Sequence, residues 1–241
     1  MPYGQVVAPG VMAPYHQHLF SLRIDPAIGG YKNSLAVEES YAMPIDDPKI
    51  HNPFGVGYIT TQAVVENEGP LDLDISSNRT FKILNESVLN PINNLPVGYQ
   101  LVPHPSQMLL AHPNSLHAKR SEFGAHALWV TKYKDGELYS AGNHTMQSAG
   151  GEGLGSWVEG RKEGVRNEDI VLWHTFGTTH NPRIEDWPVM PCEKMMVSLK
   201  PVNFFGGNPG IDVKASRQED NKSVLVGEDP CCGMTIGNSC L

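Results

Sequence analysis

Apolar and polar residues alternate along most of this chain in short runs, and glycine or proline closes nearly every run. A period of two places successive side chains on opposite faces of a strand, so each run predicts a β-strand with one face toward a core. Such runs lie at residues 4–11, 16–24, 34–41, 55–65, 80–84, 128–133, 169–176 and 194–199. Lys134-Asp135-Gly136-Glu137 predicts a tight type I′ turn joining 128–133 to a further strand at 138–141. Helical spacing is scarce, and a single short helix is predicted over 115–122. The pattern predicts an all-β fold, a large antiparallel β-sandwich with few short helices. From about residue 213 periodicity stops and polar residues take over, through Lys214, Arg217, Gln218, Glu219 and Asp220. One domain over 1–212 with a loosely ordered tail over 213–241 is therefore expected.

Composition narrows the chemistry. Lys plus Arg number 18 against 26 Asp plus Glu, a net charge of −8 with no long basic run, which argues against nucleic acid as a partner. No stretch of eighteen apolar residues exists, so no membrane span is expected. Met1-Pro2-Tyr3-Gly4 has neither a basic nor an apolar leader segment, and a cytoplasmic or peroxisomal setting is favoured. The terminal Ser-Cys-Leu is a poor match to a peroxisomal Ser-Lys-Leu. Cys192, Cys231, Cys232 and Cys240 have neither zinc-ribbon nor redox spacing, and their disulfide state is open.

His16-Gln17-His18 stands out. On a strand, positions i and i+2 leave the same face, so both imidazoles can reach one ion; on a helix they would diverge. Ten histidines scattered over the chain would give roughly 0.4 such pairs by chance, so two half-exposed strand histidines are the equal alternative. A metal also needs a third ligand. His174, inside Val171-Leu172-Trp173-His174-Thr175-Phe176, reads as a core histidine. His180 follows a strand expected to break at Gly177 and precedes the proline-rigid Asn181-Pro182, which makes it a candidate. Three imidazoles without cysteine suit Cu(II), Zn(II) or Fe(II), and the open coordination positions suit catalysis more than structure.

The residues around these histidines resemble the copper amine oxidases. Val6-Val7-Ala8-Pro9-Gly10-Val11 leading to His16-Gln17-His18-Leu19-Phe20 is similar to that family's His-x-His segment. Similar segments follow in order at 128–133, at 167–173, at 179–191 with His180, and at 201–209. The resemblance implies His16, His18 and His180 as copper(II) ligands. It implies a homodimer with interlocking hairpin arms, and oxidation of a primary amine by O2 to aldehyde, ammonia and hydrogen peroxide, carried by topaquinone. It also implies a second cation, calcium, at Asp25, Asp169 and the carbonyl of Ile170, weakened because Ala27 stands where the family has an acid. Met190 is expected to line an apolar pocket near the copper.

The resemblance is partial. The tyrosine that becomes topaquinone lies, in the family, in an Asn-Tyr motif well upstream of His-x-His. No Asn-Tyr dipeptide occurs in this sequence, and the general-base aspartate is missing too. No catalytic residue is therefore assigned. The sequence is expected to be the C-terminal part of a catalytic domain, poorly soluble or partly disordered by itself and inactive on amines. Two other functions stay open: a non-catalytic copper-binding or dimer-forming remnant, and a cupin-type metal enzyme. The latter is disfavoured because Leu22 and Arg23 occupy the positions where cupins carry glutamate.

Overall fold

A computed structural model describes residues 3–211 and 213. Eleven strands form in chain order: β1 (Gly4–Ala8), β2 (Val11–Pro14), β3 (His16–Ile24), β4 (Ser34–Ala42), β5 (Tyr58–Val64), β6 (Gly69–Leu71), β7 (Thr80–Leu89), β8 (Pro96–Val102), β9 (Leu128–Lys132), β10 (Ile170–His180) and β11 (Ser198–Val202). Two helices join them, α1 (Leu116–Arg120) and α2 (Leu154–Arg161). The chain divides into two compact units, Met1–Gly206, which holds every named element, and Gly207–Leu241. In the second unit the described residues make turns, with the Asn208 Oδ1 accepting from the Gly210 N–H at 2.9 Å. Apart from Val213, the expected tail lies outside the described residues, as do Cys231, Cys232 and Cys240.

The antiparallel sandwich expected from the alternation is what the chain forms. One sheet has the order β3-β10-β9-β6 and the other β11-β8-β7-β4-β5, and every pairing is antiparallel. Leu128, Val130, Ile170 and Leu172 of the first sheet close on Leu35, Phe81, Ile83 and Leu101 of the second to make the main core. The other face of the first sheet is covered by α2, whose Leu154 and Val158 pack on Trp129, Val171 and Trp173. Prolines fall where a missing N–H costs no ladder bond: Pro70 and Pro201 lie on the edge strands β6 and β11.

Five departures from the sequence expectations have physical causes. The run 4–11 is two strands, β1 and β2, folded over the Pro9-Gly10 turn. Residues 138–141 form no strand, because both edges of β9 are taken, by β10 and β6. The turn before them is not type I′, since of its central residues only Gly136 has a positive φ, 86°. β8 was not among the predicted runs; Pro96 and Gly98 interrupt its apolar alternation. A Cβ at position 98 would sit 2.2 Å from the Ile83 carbonyl oxygen, so glycine is there to let β7 and β8 close up. Finally, β10 does not break at Gly177 but runs on to His180.

Candidate metal centre

Register brings the three candidate histidines together. β3 and β10 pair residue for residue, with His16 opposite His180 and His18 opposite Thr178. Directly opposed residues share a face, so His16, His18 and His180 project from one side of the ladder. That side is continuous with the one that carries Leu172 and Ile170 into the core. The histidines therefore stand at the rim of the sandwich, where the core face runs out beyond Phe176 and Phe20.

The rings converge. His16 lies with its ring centre 5.0 Å from that of His18 and 5.0 Å from that of His180. Imidazoles sharing one ion, each nitrogen about 2.0–2.1 Å from it, have ring centres roughly 4.5–5.5 Å apart. Among the described residues no group of three His, Cys, Asp or Glu side chains is arranged to hold a metal ion as it stands.

Hydrogen bonds decide which nitrogens are available. The His16 Nδ1–H donates to the Pro14 carbonyl at 2.8 Å, leaving Nε2 as the donor atom. The His180 Nε2–H donates to Asp186 Oδ2 at 2.9 Å. Its Nδ1 is buried and has no hydrogen-bond partner. A buried lone pair with nothing to accept is costly unless a cation takes it, so the site fits a metal at this atom. Asp186 is itself nearly enclosed. Arg183 NH2 reaches its Oδ1 at 2.9 Å and the Arg183 backbone N–H its Oδ2 at 2.9 Å. The Arg183 guanidinium first, and His180 second, hold its carboxyl well below the usual carboxylate range. Asp186 is thus a fixed anion that orients the His180 ring.

Gln17 anchors the opposite face. Its Nε2 donates to Thr179 Oγ1 at 3.0 Å and to the Met108 carbonyl at 3.1 Å, and its Oε1 accepts from the Leu110 N–H at 2.8 Å. The end of β3 is thereby tied to β10 and to the 108–110 segment. Neither Gln17 nor Asp186 was singled out from sequence. The signal for both was their placement, Gln17 between two paired histidines and Asp186 six residues past the third beside an arginine.

Gly177 fixes how closely the two strands approach. A Cβ there would lie 2.0 Å from the His18 carbonyl oxygen and 2.9 Å from Leu19 Cα, both backbone atoms. Gly177→Ala is therefore expected to cost about 1–3 kcal/mol in denaturant melts, as overpacking does, and to weaken Cu(II) binding by displacing His18. Wild-type stability with wild-type affinity would contradict this account of the ladder.

The remaining candidates distribute plainly. His174 is the core histidine expected: its Nδ1–H donates to the Ala127 carbonyl at 2.8 Å, its Nε2 accepts from the His104 N–H at 3.1 Å, and burial holds its pKa below the ordinary value. His126 pairs with Asp72 and His144 with Glu152, away from the trio. Met190 lines a cavity of about 230 Å³ that also takes in His18 and His180. Cys192 is exposed and unbridged among the described residues.

Asp25 and Asp169 lie at the other end of the same ladder, just past β3 and just before β10. Nine residues of strand, ~30 Å, separate Asp25 from His16. Asp25 Oδ2 accepts from Arg23 NH1 at 2.8 Å. Asp169 Oδ1 is buried without a partner, and burial first, then the Asp25 charge, push its carboxyl above the ordinary value. Ile170 follows as the first, fully buried residue of β10.

Comparisons with known proteins find relatives over most of the chain. The profile of the copper amine oxidase enzyme domain matches residues 1–220. Copper amine oxidase 1 of Aspergillus niger is 46% identical over 231 residues, 95% of this chain and 34% of its own length. The peroxisomal primary amine oxidase of Pichia angusta is 35% identical over 250 residues, 96% of this chain and 36% of its own. Among solved structures, a copper-containing benzylamine oxidase from Hansenula polymorpha superposes with a TM-score of 0.84 at 45% identity, covering 90% of this chain and 34% of that one. The chain thus spans about a third of the length of these relatives.

Proposed function

The chain belongs to the copper amine oxidase family, by its enzyme domain, and from that premise we propose that it is the copper-binding part of a primary-amine oxidase. The observation that carries the proposal is the buried, unpartnered Nδ1 of His180 on the same ladder face as His16 and His18. His16 through Nε2, His18, and His180 through Nδ1 would hold copper(II). In the complete enzyme the metal and topaquinone supply the electron-accepting chemistry that converts RCH2NH2, H2O and O2 to aldehyde, NH3 and H2O2. This chain's own residues position the metal: Asp186 fixes the His180 ring, and Gln17 and Gly177 fix the strands. Met190 only lines the neighbouring cavity. No Asn-Tyr dipeptide is present to provide the quinone, so the chain by itself does not turn over amines.

Other parts of the proposal follow from the same premise. A second copy of the chain is the proposed partner. The β4–β5 hairpin supports this, for β5 is the outer strand of its sheet and Tyr58, Ile59 and Tyr41 are exposed on it. The exposed Phe20 and Leu22, on the histidine face of β3, fit a surface covered by the rest of a catalytic domain. The peroxisomal relative from Pichia angusta favours that compartment, with the cytoplasm as the other setting. No helix among the described residues is long and apolar enough to cross a membrane. Asp25, Asp169 and the Ile170 carbonyl form the proposed calcium site. Arg23 already neutralises Asp25 and Ala27 offers no side-chain oxygen, so calcium binding there is weak.

The purified chain, equilibrated with Cu(II) and dialysed, is expected to retain close to one copper per chain, with a nitrogen-rich electron paramagnetic resonance signal. It is expected to give no peroxide on addition of benzylamine or methylamine. Failure to retain copper would overturn the metal assignment, and sustained amine-dependent peroxide would overturn the inactivity.

A further inference from the structure

The segment after the third histidine is unusually rich in sulfur. Three of the nine methionines, Met190, Met195 and Met196, fall within seven residues together with Cys192. Methionine ordinarily fills gaps in a core, yet Met190 is 50% and Met196 78% exposed. Met190 and Met195 do share a cavity, the one of about 230 Å³ lined also by His18, His180, Phe20 and Glu193. Two neutral thioethers and two imidazoles thus border one small space open to solvent.

Thioethers are soft ligands. They favour Cu(I) and have little affinity for Zn(II) or for the harder Cu(II), while imidazole accepts all of them. We propose that this cavity is an entry port for cuprous copper, where the sulfurs of Met190 and Met195 take Cu(I) before His18 and His180 do. The proposal rests on the three-histidine copper site argued above. Transfer is ligand exchange alone: a Cu–S bond breaks as a Cu–N bond forms to a lone pair already free at His180 Nδ1. No electron or proton moves in that step. Glu193, at the cavity wall, contributes the anionic charge that draws in a monovalent cation.

The test uses the whole chain, with all four cysteines first alkylated by iodoacetamide so that thiols do not compete for the metal. Cu(I) is supplied anaerobically as its bicinchoninate complex, and the fraction captured by protein gives the affinity. The volume-conserving double variant Met190→Leu, Met195→Leu is expected to lose about tenfold or more in Cu(I) affinity while holding Cu(II) within about twofold. X-ray absorption of the Cu(I)-loaded, unaltered chain is expected to show sulfur neighbours that disappear in the double variant. Nitrogen and oxygen neighbours alone in the unaltered chain would overturn the port, whatever the variants do. Unchanged Cu(I) affinity in the double variant would do the same. If Cu(II) binding persists in either case, the three-histidine site stands and only the port falls; absence of Cu(II) binding by the unaltered chain removes the site itself.

Discussion

Replacing His180 with alanine is expected to cut Cu(II) affinity by well over 100-fold, more than the roughly 10–100-fold that follows loss of a residue supporting a metal ligand. The reason lies in how the three donors are prepared. His16 and His18 stand on one edge strand and keep their place without His180, but two imidazoles on a solvent-facing strand make an ordinary, weak chelate. His180 adds a donor that is already desolvated and already in the right tautomer, because Asp186 holds the other nitrogen's proton at 2.9 Å. Asp186→Asn tests that preparation separately. It removes the charge that Arg183 and His180 stabilise, loosens the ring, and is expected to cost about 10–100-fold in Cu(II) affinity without unfolding the chain. Competition titrations against a chelator of known affinity would rank the three proteins. Equal affinity for wild type and His180→Ala would mean that copper, if bound at all, sits elsewhere.

The strand pair carrying this site was legible in sequence because its information is local. Alternation over 16–24 sets which side of β3 faces the core, and the His-x-His spacing then places both rings on that side. β3 forms over the residues predicted for it. The partner strand was only half legible. Its apolar run was clear, but Gly177 read as a terminator when its role is to let the His18 carbonyl pass at close range. Gly98 has the same role in β8, where it admits the Ile83 carbonyl. A glycine that breaks a strand and a glycine that admits a neighbouring backbone look alike until the neighbour is known. α2 was illegible for a different reason. Leu154–Arg161 contains Gly155 and Gly160 and no capping side chain, so nothing local favours a helix. It forms because Leu154 and Val158, one turn apart, pack on Trp173 and Val171 on the back of the sheet. Asp186 and Gln17 belong to the same class: their roles are defined by partners distant in sequence or hidden by burial.

Glu68→Ala is expected to destabilise the chain by about 3–5 kcal/mol, a large share of the roughly 5–15 kcal/mol that holds a domain together. The Glu68 side chain is 0% exposed and fully committed. Arg161 Nε donates to its two oxygens at 3.0 and 2.9 Å, the Lys132 N–H to Oε1 at 2.9 Å, and the Glu163 N–H to Oε2 at 3.2 Å. Arg161 also pairs with Glu137. One carboxylate therefore ties the end of β9 to the end of α2, behind the sheet that carries the histidines. Its removal leaves the Arg161 Nε–H and two backbone donors without acceptors, and that loss, more than any intrinsic strength of the ion pair, sets the cost. The double variant Glu68→Leu, Arg161→Met removes both charges together and should recover much of the stability lost in the single one. A double variant less stable than Glu68→Ala would show instead that the pair is strongly attractive in its own right. Because the network sits on the α2 side of the sheet while the copper face looks the other way, Cu(II) affinity measured on the folded fraction should be the same in Glu68→Ala and wild type. The two faces of this sheet then answer for different properties in this test, one for how firmly α2 is held and the other for what the sheet binds.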